Sequence, residues 1–160
     1  MQPNRYTELF FLDEATALTA GHRPCAQCRW TDYQRFKRLW LAGNGDLGVT
    51  SCDSIDALDV WLHRERVDRA GRKVTTMARA DSLPNGSMIA LDSSPKAARL
   101  VWDGRMFEWS FEGYSAPQPI PGDEQVTLLT PVSIVRALAS GYAPGVHSSL
   151  NGRLLAYGSV

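Results

Sequence analysis

The chain reads as an α+β protein, with a helical half over residues 1 to about 80 and an antiparallel, β-rich half over 81–160 that ends in a helix. Two observations predict this. Apolar residues recur at spacings of three and four through the first half and alternate from Leu83 onward. Asp103-Gly104 also stands between Arg99-Leu100-Val101-Trp102 and Arg105-Met106-Phe107-Glu108-Trp109, and that pair suits a two-residue type I′ hairpin. The halves are expected to pack as one unit.

Composition narrows the function. At 160 residues the chain can bury one ordinary core, and 44% hydrophobic residues with five Trp, five Tyr and five Phe suit a packed protein. Seventeen basic residues balance seventeen acidic ones, so the global positive field of a dedicated nucleic-acid binder is absent and any such contact must be local. No stretch suits a bilayer span and no charged-then-apolar leader opens the chain, which reads as cytosolic (cytoplasmic). Three cysteines, an odd number, favour reduced thiols or a metal over a disulfide framework.

The first element is a short helix. Asp13 suits its N-cap, Ala15, Ala17, Leu18 and Ala20 favour helix, and Gly21 suits a left-handed stop after about two turns. Pro24 forbids continuation and makes Arg23 extended, so Cys25 and Cys28 fall on the turn that follows. Two thiols so spaced can share a metal ion, form a redox pair, or simply be two small buried residues.

Leu12-Asp13-Glu14-Ala15-x-Ala17-Leu18-x-Ala20-Gly21-His22-Arg23-Pro24-Cys25-x-x-Cys28 resembles the second half of the zinc-binding domain of the Ada-type DNA methylphosphotriester repair proteins. That module also accompanies some nucleases and other DNA-handling proteins. The resemblance covers residues 8–29. It implies a strand over 8–12, then the short helix, with Cys25 and Cys28 as the second pair of a four-cysteine zinc site. The first pair has no counterpart, because residues 1–7 hold neither Cys nor His. One of those missing cysteines is the methyl acceptor in the family, so methyl-transfer repair does not carry over. His22 replaces the family's aromatic residue before Arg-Pro. With zinc as the implied cofactor, further ligands would come from His22, Cys52, His63 or His147, since zinc takes about four.

Thr31 and Gln34 have the spacing of a capping box for a helix over about 31–42, in which Tyr33, Phe36, Leu39 and Trp40 form the apolar stripe. Arg35, Lys37 and Arg38 fill its other side. Either that side is a solvated face, or Arg23, Arg29, Arg35 and Arg38 make a local phosphate-facing patch beside the cysteines, with DNA as the partner.

After the flexible stretch 43–48, Ser54 is expected to cap a helix over 55–69 with Ile55, Leu58, Trp61 and Leu62 inward. Asp59 and His63 lie four apart on it and Glu65 follows. These, with Asp56, are the acid, base and divalent-metal candidates of an alternative hydrolase or nuclease reading. The basic residues Arg64, Arg66, Arg69, Arg72 and Lys73, interrupted by Glu65 and Asp68, read as solvated surface.

In the second half, 83–87 is a turn and 88–91 a strand. The hairpin register should set Trp102 opposite Arg105, Leu100 opposite Phe107 and Arg99 opposite Glu108. Residues 115–124 read as a loop and 126–129 as a strand, after which Thr130 caps a helix carrying Pro131 in its first turn. Residues 137–144 echo 17–24, including the Gly and the following Pro. A metal-free repeat and two helices ended by the same chemistry both explain the echo.

Nucleophile-elbow, P-loop, dinucleotide and His-Glu-x-x-His signatures are absent. The sequence therefore points to a small Ada-like zinc module with a nucleic-acid-related, non-catalytic role. The alternatives are the hydrolase around His63 and a structural or interaction protein whose Ada-like lobe carries no metal.

Overall fold

A computed structural model describes residues 9–50 and 55–150. The expected α+β architecture is present: helices α1 (Glu14–Thr19), α2 (Trp30–Gly43) and α3 (Ile55–Arg66) precede a seven-stranded antiparallel sheet, and α4 (Val132–Ala139) follows it. The strands are β1 (Thr76–Arg79), β2 (Met88–Leu91), β3 (Ser94–Trp102), β4 (Arg105–Ser110), β5 (Gly113–Tyr114), β6 (Gln118–Pro119) and β7 (Gln125–Leu128). Their order is β1-β7-β2-β3-β4-β5, with β6 also on β4, so the last strand inserts between the first two. No helix among the described residues is long and apolar enough to cross a membrane.

The β3–β4 hairpin has the expected register, Trp102 opposite Arg105, Leu100 opposite Phe107 and Arg99 opposite Glu108. Asp103 (φ 49°) and Gly104 (φ 68°) take the left-handed conformations that a type I′ turn requires. Arg99 is buried and pairs with Glu108 at 3.0 Å. Alternation then sorts side chains to two faces. Met88, Leu100 and Phe107 form one cluster with Ala15 of α1, while Ile89, Val101, Val126 and Leu128 form another, with Val132 and Val135 of α4 against it.

A third cluster joins Leu18, Phe36, Trp40, Leu58, Leu62, Ile134, Ala137 and Leu138, so the expected α2 stripe is buried. Two short helices thus stitch the halves together. α1 sends Ala15 to the sheet and Leu18 to the helices, and α4 divides its residues in the same way.

Polar contacts fix these placements. Asp13 caps α1, its Oδ1 accepting from the Thr16 amide at 2.8 Å and the Thr16 hydroxyl at 2.7 Å. Its Oδ2 accepts from the Tyr114 hydroxyl and the His147 amide. Glu14, buried, accepts from the Tyr142 hydroxyl at 2.6 Å and the Gly145 amide at 2.8 Å, while its own amide donates to the Gly145 carbonyl. The start of the Ada-like motif is therefore held by the segment after α4.

The 17–24 echo is structural as well as verbal. Gly21 donates to the Leu18 carbonyl and His22 to that of Ala17, and Gly141 and Tyr142 repeat both bonds to Leu138 and Ala137. Both glycines have positive φ, 77° and 98°, so each helix ends in a Schellman turn.

Several local expectations are corrected. Residues 9–12 form no strand, because no sheet edge runs beside them to supply a hydrogen-bonded ladder, and Glu8 lies outside the described residues. α2 opens at Trp30 after Arg29 without a side-chain cap; the Tyr33 amide already donates to the Arg29 carbonyl, so Thr31 lies inside the first turn and the Thr31–Gln34 capping box does not form. α3 stops at Arg66 because Asp68 draws the amides of Ala70 and Arg72 into a turn; its expected cap, Ser54, lies outside the described residues. Strands β1, β5 and β6 and the early start of β3 have no counterpart among the expected elements.

Thr130 does not cap α4 either. Its hydroxyl accepts from the Met88 amide and pairs with the Thr19 hydroxyl at 2.9 Å, so the helix opens after Pro131. Glu65 supplies the cap from α3 instead, accepting from the Ser133 amide at 3.2 Å and from the Ser133 hydroxyl.

Burial and the hydrogen bond to Glu14 hold the Tyr142 phenol well above its usual value of 10.0. The folded chain therefore keeps this proton where the unfolded chain releases it, and stability should fall as pH rises above 10. Urea unfolding at pH 8 and 10.5 should show the loss, and Tyr142→Phe should reduce it. At neutral pH Glu14→Ala should cost about 3 kcal/mol, because it strands the buried Tyr142 hydroxyl and removes the acceptor of the Gly145 amide.

Candidate functional site

Beyond the α1 stop, buried Pro24 ends the extended segment and the chain turns through residues 26–28 into α2. This turn forms one wall of a cleft of about 1000 Å³. Leu9, Phe10, Phe11, His22, Cys25 and Cys28 face it from the N-terminal segment, and Asp59, His63 and Arg66 from α3. Residues brought together from positions 9 to 66 thus share one concavity.

Cys25 and Cys28 are both free thiols, and their sulfurs lie within hydrogen-bonding reach of each other. The amides of Cys28 and Gln27, the latter at 3.4 Å, point at the Cys25 sulfur. Together with the Cys28 thiol and Arg23 they lower the Cys25 pKa. Cys28 moves the other way, raised by its bond to Cys25, by desolvation and by the neighbouring Cys25 charge. Cys25 is thus the more acidic thiol of the pair, shifted toward the thiolate form in which cysteine attacks electrophiles and binds metals.

The donor chemistry suits zinc or another soft metal, but only in part. No group of three or more Cys, His, Asp or Glu converges among the described residues, so the turn supplies two thiolates of a set of about four. His22 and His63 line the same cleft. Cys52 lies outside the described residues. His147 does not line the cleft, and its Nδ1 lies 3.0 Å from the Ser149 hydroxyl.

His22 stacks on Phe11 with ring centroids 5.3 Å apart, and its Nε2 lies 3.5 Å from an Arg66 nitrogen. Burial, then the Arg66 charge, push its pKa below the usual 6.5 and keep the ring neutral. The second Arg66 nitrogen lies 3.3 Å from His63 Nδ1. Arg66 also lays its aliphatic stem across Gly21, where a Cβ would come within 2.9 Å of it, so the glycine is needed for this approach as well as for the turn.

The acid–base set around His63 does not assemble. Asp59 takes a two-pronged bond from Arg23, at 2.7 and 2.8 Å, instead of pairing with His63. Glu65 is committed to Ser133 across the α3–α4 contact and does not line the cleft. Spacing on a helix put three residues in one region, and each found a different partner.

The basic residues are also largely spoken for. Besides Asp59, Arg23 lies over the Tyr33 ring. Arg29 pairs with Asp32 at 2.7 Å and Glu14 at 3.2 Å. Arg35 donates to the Ala143 carbonyl and lies over the Tyr142 ring. Arg38 alone of the four has no hydrogen bond or ion pair among the described residues; it is exposed and lines a separate cavity with Gln34, Leu41 and Val49.

Sequence reasoning missed Arg66 and the cleft-lining Phe10 and Phe11. Nothing local distinguishes Arg66 from the other basic residues between 64 and 73; its packing on Gly21 does. Compared with protein-family models, with curated proteins and with solved structures, the chain gives no match.

Two outcomes follow from the site's electrostatics. In chelator-treated protein at pH 7, a trace of iodoacetamide should modify Cys25 before Cys28 by peptide mass mapping, and the reverse order would overturn Cys25 as the more acidic thiol. The lowered His22 pKa means that the unfolded chain takes up this proton first on acidification. Stability is then complete above pH 6.5 and declines below it, and His22→Gln should flatten that decline in urea midpoints measured from pH 7.5 to 5.

Proposed function

We propose that the protein is a small zinc-binding module with a non-catalytic, nucleic-acid-related role, the metal resting on Cys25 and Cys28. The observation that carries this reading is the convergence of two thiols on a turn whose amides point at Cys25, at the open wall of a cleft. A structural zinc site has four protein ligands and is closed, whereas two ligands on an open wall leave positions for water or a bound molecule. Bound there, zinc would supply positive charge and an acceptor for a lone pair.

The nucleic-acid part of the reading draws on the Ada-like motif and on the basic and aromatic residues around the cleft. Because Asp59, Asp32 and Glu14 engage Arg23 and Arg29, contact with phosphates through those two would require ion pairs to open. This favours weak, local binding over a broad electrostatic surface. The commitment of Asp59 and Glu65 to other partners weighs against the hydrolase alternative.

Elemental analysis of protein purified without chelator is the test. About one zinc per chain is expected, falling to background in Cys25→Ser with Cys28→Ser, while the circular dichroism of the folded variant is retained. Wild-type protein without stoichiometric zinc would remove this function.

A further inference from the structure

Arg66 stands apart from the other arginines that line the cleft. Arg23 is neutralised by Asp59, and Arg29 by Asp32 and Glu14, but Arg66 has no carboxylate partner among the described residues. Its side-chain contacts are the two imidazole nitrogens at 3.3 and 3.5 Å. Those contacts are long and to ring nitrogens rather than to a carboxylate, and an oxyanion, as a charged acceptor, would compete with them readily.

A second cation reinforces the field. Lys73 lies close enough for Arg66, after burial, to lower its pKa, and Lys73 also forms no ion pair with a carboxylate among the described residues, donating instead to the Thr19 carbonyl at 3.0 Å. Arg66 and Lys73 therefore lie close together, and Arg66 lines the cleft with His22 and His63. Of the two carboxylates in the lining, Asp59 already has both oxygens on Arg23 and Glu14 pairs with Arg29.

The lip has the complementary character. Phe10 is 90% exposed and Leu9 57% exposed, both facing the same concavity as Arg66. A flat apolar ring and an unneutralised guanidinium lining one cleft match a ligand that joins a flat ring to an oxyanion, and a nucleotide unit is such a ligand. Base stacking on an aromatic side chain needs the base unpaired, which a duplex does not offer.

We propose that the cleft is a nucleotide subsite for single-stranded nucleic acid, with Arg66 taking a backbone phosphate and Phe10 the face of an adjacent base. This rests on the nucleic-acid-related part of the function proposed above and moves the contact from the arginines around α2 to the cleft floor. No bond is made or broken in it. The same chemistry serves a free mononucleotide, and the two sources separate experimentally.

Fluorescence anisotropy of labelled oligothymidylate at low salt, on protein as purified, tests the subsite. Arg66→Gln keeps the methylene stem against Gly21 and removes the charge, and Phe10→Ala alters a ring that the fold leaves in solvent. Each should weaken binding about tenfold or more, and Arg66→Gln should reduce the logarithmic salt slope by about 0.7. Arg38→Gln, outside the cleft, should change affinity less than twofold. Competition by adenosine monophosphate at micromolar concentration would support the subsite with a free nucleotide as its source.

Equal affinity in Arg66→Gln and wild type, or a preference for duplex over single strand, would overturn the subsite and leave the zinc module standing. Absence of binding to any nucleic acid by zinc-loaded wild type would overturn both the subsite and the nucleic-acid role, separately from the zinc result.

Discussion

A buried carboxylate on a short helix is the constraint from which the rest of this structure follows. Glu14 loses its hydration in the core, and such a group is tolerated only where its oxygens find donors. It finds them in Tyr142 and Gly145, more than a hundred residues along the chain, with Arg29 adding charge from the turn. These bonds fix α1 against the segment after α4. With α1 fixed, Ala15 reaches the sheet and Leu18 the helices, so a six-residue helix too short to persist alone becomes the joint between them.

What could be read in the sequence was local or periodic. The β3–β4 register followed from one Asp-Gly pair and the two-residue alternation beside it, and the α2 stripe from the spacing of Tyr33, Phe36 and Trp40. The Schellman turns at Gly21 and Gly141 were visible for the same reason, since a glycine and the few residues before it decide such a turn. What could not be read depended on partners distant in sequence. Thr130 and Thr31 both looked like caps. Thr130 was drawn instead to Thr19 and Met88, and the cap of α4 came from Glu65, a residue whose spacing to His63 had suggested catalysis.

The candidate site divides along the same line. The cysteines, their turn and the preceding glycine were legible because Pro24 and Gly21 act within a few residues. The arginines were legible as charges but not as charges already paired, since Asp59 lies 36 positions from Arg23. Among the described residues seven arginines sit in short ion pairs, and the electrostatic character of the surface is set by the cations left outside them. Arg66 is one such group, and its sequence neighbours gave it no distinguishing mark.

The reciprocal bonds between Glu14 and Gly145, amide to carbonyl one way and amide to carboxylate the other, have a consequence for control. The wall that carries Cys25 and Cys28 hangs from α1, and α1 is gripped by residues 142–147. Free energy spent on holding that grip and free energy spent on ordering the cleft are then shared quantities, linked in the thermodynamic sense. Any coupling that α1 carries between the thiol turn and residues 142–147 is equal in both directions, so a change behind α4 is a way to act on the cleft without touching its lining.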